Sequence, residues 1–208
     1  MKRRLLLTSG AAAAALVLTG CAGPQVTDYS ADKPVLDLRQ YFNGTLDAYG
    51  VFIDRSGKVV KRFTVVMRCT WNGDEGVLDE DFVYSDGSTQ KRIWRLKHLG
   101  NGRYEGRADD VVGVAQGQTA GNAFRWGYTL ALPVGGDPSA AGPPQGASAP
   151  SGGSEPRAAG GVGATIVEVQ FDDWMYLMDQ RVMLNKAAMS KFGIHLGEVT
   201  LSFVKRPS

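Results

Sequence analysis

Few residues in this chain are of the types from which metal and redox sites are usually built. Two cysteines and two histidines occur among 208 residues. Because His98 and His195 lie far apart in the sequence, zinc would have too few soft ligands. The sequence also lacks a P-loop, an H-E-x-x-H motif and a G-x-S-x-G elbow. We therefore predict no cofactor and no enzymatic activity, with an enzyme as the third alternative.

An excess of positive charge, which is typical of nucleic-acid-binding proteins, is missing as well. The formal net charge is +2, but Lys2, Arg3 and Arg4 belong to a segment that export would remove. Lys and Arg then fall from 23 to 20 against 21 Asp and Glu, which leaves about −1. No arginine-rich or aromatic RNA-binding pattern occurs, so nucleic acid is not a predicted partner.

The N-terminus has the pattern of a bacterial export signal. Basic residues precede an apolar, alanine-rich run over residues 5–17, which is too short to be retained as a transmembrane helix. The segment closes with Leu18-Thr19-Gly20-Cys21, which resembles the lipobox of bacterial lipoproteins. That resemblance implies cleavage after residue 20, acylation of Cys21 by palmitate-type chains and stable membrane attachment. The alternative is an ordinary signal peptide with an incidental cysteine.

The residues after this cysteine indicate where the protein is held. Ala22 follows it in place of Asp, which in such lipoproteins resembles the default for passage to the outer membrane. Residues 21–38 contain two prolines and suit a tether that holds a periplasmic domain off the membrane. Residues 36–42 fit either one helical turn or a plug strand. Acylation of Cys21 would leave Cys69 as the lone thiol, which we expect to be buried.

From Leu46 onward, short strand patterns alternate with turn residues at a spacing of about ten residues, which is typical of an all-β meander. The clearest pattern is the run from Phe63 to Trp71, in which apolar residues at every second position indicate a half-buried strand. The predicted strands are Leu46–Asp54, Val59–Trp71, Glu75–Tyr84, Thr89–Leu99, Arg103–Ala108, Val111–Gln118, Ala123–Leu132, Thr165–Asp172, Trp174–Leu177, Val182–Asn185 and Glu198–Val204.

The loops between strands determine which residues stand opposite each other, because antiparallel partners share a face. We interpret Asn72-Gly73 as a two-residue turn, and Ser85-Asp86-Gly87 and Gly100-Asn101-Gly102 as three-residue turns. With these turns, three consecutive hairpins agree on one interior. The predicted opposite pairs are Met67 with Leu78, Leu78 with Trp94, Glu80 with Arg92, Asp81 with Lys91 and His98 with Tyr104.

The shared interior is rich in aromatic residues, and strands with one apolar face must form a sandwich or a closed barrel. Consecutive hairpins favour closure. The predicted fold is therefore all-β, an antiparallel up-and-down meander closed into a lipocalin-like barrel of about 8–10 strands, over residues 39–206. We also predict a short helix over Ala187–Phe192 that caps the barrel.

One segment interrupts the meander. Of the 29 residues in 135–163, 24 are Gly, Pro, Ala or Ser, a composition that cannot bury a core. We interpret it as a disordered insertion in a hairpin, with a functional lid as the alternative.

Five runs of residues carry a resemblance to a known family. They are Leu78-Asp-Glu-Asp-Phe-Val-Tyr-Ser-Asp-Gly87, Asp109-Asp-Val-Val-Gly113, Gly121-Asn-Ala-Phe-Arg-Trp126, Phe171-Asp-Asp-Trp174 and Met189-Ser-Lys-Phe-Gly193. Over nearly all of residues 41–204, the chain resembles a proteobacterial family named only as domain of unknown function thirty-eight thirty-three. No activity is assigned to this family, so the resemblance implies no catalytic residue. Its relatives have a short turn in place of residues 135–163.

The predicted register places two charged residues, Glu80 and Arg92, inside the barrel. One interpretation is an internal ion pair satisfied by neighbouring polar groups and water, because an unpaired buried charge is costly. The other is a ligand site in which Arg92 receives the carboxylate or phosphate head of an amphiphile. The candidate ligand-binding residues are Arg92, Glu80, Trp94, Phe82, Tyr84, His98, Trp126 and Tyr128.

Adjacent carboxylates occur in three runs, Asp79-Glu80-Asp81, Asp109-Asp110 and Asp172-Asp173. Neighbours in a strand point to opposite faces, whereas a glycosidase pair needs two carboxylates on one face. We interpret these runs as turn or surface acids, with calcium at Asp109-Asp110 as a weaker alternative.

Two functions stay open. The first is a cell-envelope lipoprotein that binds or carries a small hydrophobic or lipid-like ligand in the barrel lumen. The second is a structural or assembly lipoprotein of the outer membrane, with a solid core and a protein partner. A lumen above roughly 300 Å³ favours the first and a filled lumen favours the second.

Overall fold

The computed structural model describes residues 23–134 and 165–207. The signal segment, Cys21 and the insertion at 135–163 lie outside the described residues.

A 3₁₀ turn at Val26–Tyr29 and a one-turn helix, α1 at Leu38–Tyr41, precede the strands. Neither of these two helices is long and apolar enough to cross a membrane. The strands are β1 Gly44–Asp54, β2 Val59–Asn72, β3 Glu75–Tyr84, β4 Thr89–His98, β5 Arg103–Arg107, β6 Ala115–Ala120, β7 Ala123–Val134, β8 Thr165–Leu177, β9 Val182–Lys191 and β10 Ile194–Lys205.

The ten strands form one closed barrel. Each strand pairs antiparallel with the next along the chain, and β1 also pairs with β10, so no sheet edge is left. The predicted fold class, an up-and-down lipocalin-like barrel, is therefore confirmed at the upper end of the predicted strand number.

The register of the first hairpin differs from the prediction by two residues. Met67 stands opposite Glu80 rather than Leu78, because the turn consists of Gly73-Asp74. Gly73 has a φ of 61°, as the first central residue of a type II′ turn requires. A shift of two residues keeps every side chain on its predicted face. The predicted pairs of the next two hairpins, Leu78 with Trp94, Glu80 with Arg92, Asp81 with Lys91 and His98 with Tyr104, are confirmed.

The predicted capping helix at Ala187–Phe192 is wrong. Residues 182–191 form the single strand β9, which pairs with β8 on one side and β10 on the other. Alanine and methionine favour helices locally, but the hydrogen bonds to two flanking strands override this weak preference. The two strands predicted within residues 165–177 are likewise one continuous strand, β8, and β6 begins at Ala115 rather than Val111.

The N-terminal segment packs against the barrel over its described residues, so the predicted tether does not apply to residues 23–38. Apolar side chains of this segment are buried, namely Val26, Leu36, Leu38, Tyr41 and Phe42. Residues 36–42 form a helical turn rather than a plug strand. The Leu36 amide donates to Gly121 in the β6–β7 turn, Arg39 pairs with Asp74 in the β2–β3 turn, and the Tyr41 hydroxyl donates to the Arg181 carbonyl in the β8–β9 turn. We call this end of the barrel, which α1 covers, the closed end.

Glycines on the interior face make room for aromatic rings. A Cβ atom on Gly50 or on Gly117 would lie 2.3 Å from an aromatic ring, that of Phe63 or of Trp126 respectively. In both cases the glycine and the aromatic residue are direct cross-strand partners. Bulky side chains therefore lie flat against the barrel wall, over glycines of the adjacent strand.

Candidate functional site

The barrel encloses a cavity of about 130 Å³. Leu38 and Phe42 line it at the closed end, and mostly aromatic and aliphatic side chains line its wall. The volume lies below the roughly 300 Å³ typical of sites for drug-sized ligands, yet the lumen is not filled. An apolar protein cavity of about 150 Å³ can hold benzene. The cavity therefore suits a molecule of about one aromatic ring, and it is too small for a long acyl chain.

Six of the eight predicted ligand-binding residues line this cavity: Glu80, Phe82, Arg92, Trp94, Trp126 and Tyr128. The other two, Tyr84 and His98, do not. The Tyr84 hydroxyl donates to the side chain of Gln90 at 2.6 Å. His98 contacts Asp74 at 2.9 Å, near the β2–β3 turn. The structure therefore brings together six of the predicted residues around the cavity and leaves Tyr84 and His98 outside it.

Arg92 is bound by Asp110, so the interpretation of Glu80 and Arg92 as an internal ion pair is wrong, although the two residues are cross-strand partners as predicted. The guanidinium and the Asp110 carboxylate are 2.5 Å apart, and their side chains are 10% and 11% exposed. Burial acts to lower the pKa of Arg92, but the negative charges of Asp110 and Glu80 outweigh it and hold the pKa above its ordinary value. The guanidinium also lies 5.7 Å from the centre of the Phe82 ring. Arg92 is thus held as a cation against a carboxylate of this chain.

Glu80 is buried without a direct partner. It is 8% exposed, and its carboxyl group makes no hydrogen bond or ion pair with residues 23–134 or 165–207. Burial raises the pKa of Glu80 to about 7, although the positive charge of Arg92 opposes the shift. Near neutral pH this group is therefore divided between its neutral and charged forms.

Asp173 is a second carboxyl group in the same cavity, and it was not predicted. It lies on β8 opposite Trp126 and Ala187 and is 6% exposed. The Tyr128 hydroxyl donates to its Oδ2 at 3.0 Å, while its buried Oδ1 has no partner among the described residues. Burial raises the pKa of Asp173 to about 7, against the opposing effect of the Tyr128 hydrogen bond.

Each of the three acidic runs places one carboxyl group in the interior. Glu80, Asp110 and Asp173 point inward. The outward neighbours of Glu80 and Asp173 bind surface cations, as Asp81 does with Arg68 and Asp172 with Arg125. The inward position of Glu80 agrees with the predicted register, whereas the interpretation as turn or surface acids is wrong for Asp110 and Asp173. Strand alternation is the signal that could have identified Asp173 on β8.

The arrangement limits the chemistry of the site. The described residues contain no group of three or more His, Cys, Asp or Glu that could hold a metal ion, and Asp110 is already bound to Arg92. The Cys69 thiol is 2% exposed, as predicted, and burial raises its pKa well above the ordinary value, so it is not a ready nucleophile. What remains is an apolar cavity with two carboxyl groups and one paired guanidinium.

Comparison with solved structures shows the fold. The S-type phycobiliprotein lyase CPES from Guillardia theta aligns with a TM-score of 0.53 at 6% identity, covering 89% of this chain and 99% of that chain. A de novo designed fluorescence-activating β-barrel aligns with a TM-score of 0.39 at 11% identity, covering 82% of this chain and 99% of the design. The protein EF1p2_mFAP2b bound to DFHBI aligns with a TM-score of 0.37 at 8% identity, covering 86% and 99%.

Sequence comparison adds one match. No curated protein sequence matches the chain. A family model described as protein of unknown function (DUF3833) matches residues 15–140 and 159–205.

Proposed function

Because this chain belongs to the DUF3833 family, described only as proteins of unknown function, we propose its function from the barrel itself: it binds a small, largely apolar molecule in the lumen. The observation that supports this is the cavity of about 130 Å³ inside the barrel, which carries two buried carboxyl groups on an aromatic wall. A few polar groups on a mostly apolar surface are typical of small-molecule sites. The phycobiliprotein lyase offers a precedent only for the fold.

The cavity favours a binder over a structural or assembly protein with a solid core. Protein interiors are packed nearly as densely as organic crystals, with few voids larger than a water molecule. Burying Glu80 and Asp173 without a cation in direct contact also costs stability. A barrel whose only role was mechanical would gain stability from apolar side chains at these positions. The presence of two carboxyl groups in the lumen therefore supports a role in binding a ligand.

The anionic amphiphile considered from the sequence does not fit this lumen. Arg92 already binds Asp110, and Glu80 and Asp173 add further negative charge beside it. A carboxylate or phosphate head would meet more carboxyl groups than cations. We therefore restrict the proposal to small molecules without an anionic head.

Filling the lumen tests the proposal. Ala187 lines the cavity and is 3% exposed, so we expect Ala187→Leu to occupy the space of the ligand and to weaken binding of benzyl alcohol at least about tenfold. The matched control is Ala131→Leu, at an outward position opposite the exposed Glu168. Tryptophan fluorescence on titration measures binding, because Trp94 and Trp126 line the cavity. Failure of the unmodified protein to bind, or equal binding by Ala187→Leu, would contradict a lumen site.

We further propose that the protein is a lipoprotein of the outer membrane, facing the periplasm. The support is the lipobox-like sequence at residues 18–21. The described chain begins at residue 23, two residues after the proposed anchor.

Removal of the acylated residue tests the anchor. We expect Cys21→Ala to abolish labelling of the protein by radioactive palmitate in bacterial cells and to prevent its recovery in the outer-membrane fraction. Cys69→Ala is the matched control, because Cys69 is buried inside the barrel and should leave the labelling unchanged. Labelling that persists in Cys21→Ala would refute acylation at this residue.

A further inference from the structure

The charge of the lumen indicates the class of its ligand. We propose that the ligand is a small apolar amine, whose protonated amino group binds between the carboxyl groups of Glu80 and Asp173 while its apolar body lies against the aromatic wall. This inference rests on the proposed function, because it specifies the ligand of the same site.

The first argument is the balance of charge inside the barrel. Among the residues that line the cavity in the described ranges, Arg92 is the one cation, and Glu80 and Asp173 are the acids. Asp110, which does not line the cavity, binds Arg92. Over the part of the chain that the structure describes, the interior therefore contains three carboxyl groups and one guanidinium. A buried charge without a partner is unfavourable, so a ligand that brings one positive charge relieves part of this imbalance.

The second argument is the hydrogen bonds that the carboxyl groups lack. Asp173 accepts one hydrogen bond, from Tyr128 to its Oδ2, and its Oδ1 has no partner in residues 23–134 and 165–207. Glu80 accepts none from those residues. Both side chains are more than nine-tenths buried and both line the cavity. An ammonium group has three donors and no acceptor, which matches the free acceptors of these two carboxyl groups.

The third argument is the surrounding wall. Trp94, Trp126 and Tyr128 line the cavity together with the two acids, and the ring centres of Trp94 and Trp126 are 5.8 Å apart. Aromatic faces attract a cation by electrostatics and contact an apolar body equally well. A bare metal ion suits this wall poorly, because hard cations need several oxygen ligands.

Three probes of similar shape distinguish the amine from other ligands. Benzylamine, benzyl alcohol and benzoate share one ring and differ in the charge of the head group. Calorimetric titration of the mature protein at about pH 8, where both acids are mainly ionised, should show benzylamine binding about tenfold or more tighter than benzyl alcohol. Benzoate should bind weakest, because its negative charge has the same sign as the carboxylates of the site.

Two isosteric variants test the residues. Glu80→Gln and Asp173→Asn should each remove most of the preference for benzylamine while leaving benzyl alcohol bound. Asp172→Asn is the matched control, since Asp172 lies on the outer surface and pairs with Arg125, and it should keep the preference.

The outcomes separate the two proposals. If benzyl alcohol binds in the lumen but benzylamine binds no tighter, or if benzoate binds tightest, the proposal of an amine ligand is refuted. The proposal of a ligand site in the lumen is then still supported. If Glu80→Gln and Asp173→Asn both keep the full preference, the assignment of these residues is refuted. If none of the three probes binds the unmodified protein, the lumen site itself is refuted.

Discussion

Replacing Arg92 by alanine is expected to destabilise the barrel by about 3–5 kcal/mol, the usual cost of removing one partner from a buried ion pair. The substitution leaves the 11% exposed Asp110 side chain without its cation. It also removes the positive charge that counteracts the raised pKa of Glu80. Urea unfolding followed by tryptophan fluorescence would give the free energy of unfolding.

Two further variants show whether the stability lost in Arg92→Ala comes from the missing charge or from the missing side-chain volume. Arg68→Ala breaks an ion pair on the barrel exterior, with Asp81, and should cost less than about 1 kcal/mol. The double variant Arg92→Ala with Asp110→Ala removes both charges and should recover a large part of the loss. A double variant no more stable than Arg92→Ala alone would show that packing, rather than an uncompensated carboxylate, causes the effect.

Replacing Glu80 by glutamine is expected to stabilise the protein at about pH 8 by on the order of 3 kcal/mol, since one pKa unit corresponds to about 1.4 kcal/mol. The pKa of Glu80 is 4.5 without burial and about 7 in the folded protein. Between these values the folded state binds more protons than the unfolded state. The free energy of unfolding contributed by Glu80 therefore falls as pH rises through this window and is constant above it.

The comparison must be made as a difference between variants, because other charged groups act on this site. Arg92 on β4, Asp110 after β5, Asp173 on β8 and Asp79 on β3 all influence Glu80, and Asp173 contributes a pH dependence of the same sign. Unfolding by urea at about pH 4, 6 and 8 should show Glu80→Gln gaining stability over the unmodified protein as pH rises. A gain that stays constant across this range would contradict the raised pKa.

The barrel could be predicted because hairpin geometry is local. The β3–β4 register follows from a three-residue turn and from the agreement of faces between adjacent strands. The β2–β3 turn was harder, since Asn72-Gly73 and Gly73-Asp74 give registers that preserve the same faces. Local propensity misled at Ala187, where the neighbouring strands decide the structure and the small side chain leaves the lumen open.

The candidate site could be predicted only where a regular strand carries it. Glu80 and Arg92 were placed inside because both lie in hairpins of known register. Asp110 lies in the irregular connection between β5 and β6. Outside a regular strand, side chains do not alternate between two faces, so the direction of Asp110 could not be predicted. Asp173 was missed for a different reason: the run around it was divided into two strands, although the alternation of one continuous strand would have turned it inward.

The most direct test of a carboxyl-lined ligand site in the lumen is a crystal structure of the protein grown with benzylamine. We predict one molecule inside the barrel, with its nitrogen within hydrogen-bonding distance of both Glu80 and Asp173 and its ring against Trp94 and Trp126. A lumen that holds only water in such crystals, or benzylamine bound away from these two carboxyl groups, would contradict a carboxyl-lined ligand site in the lumen.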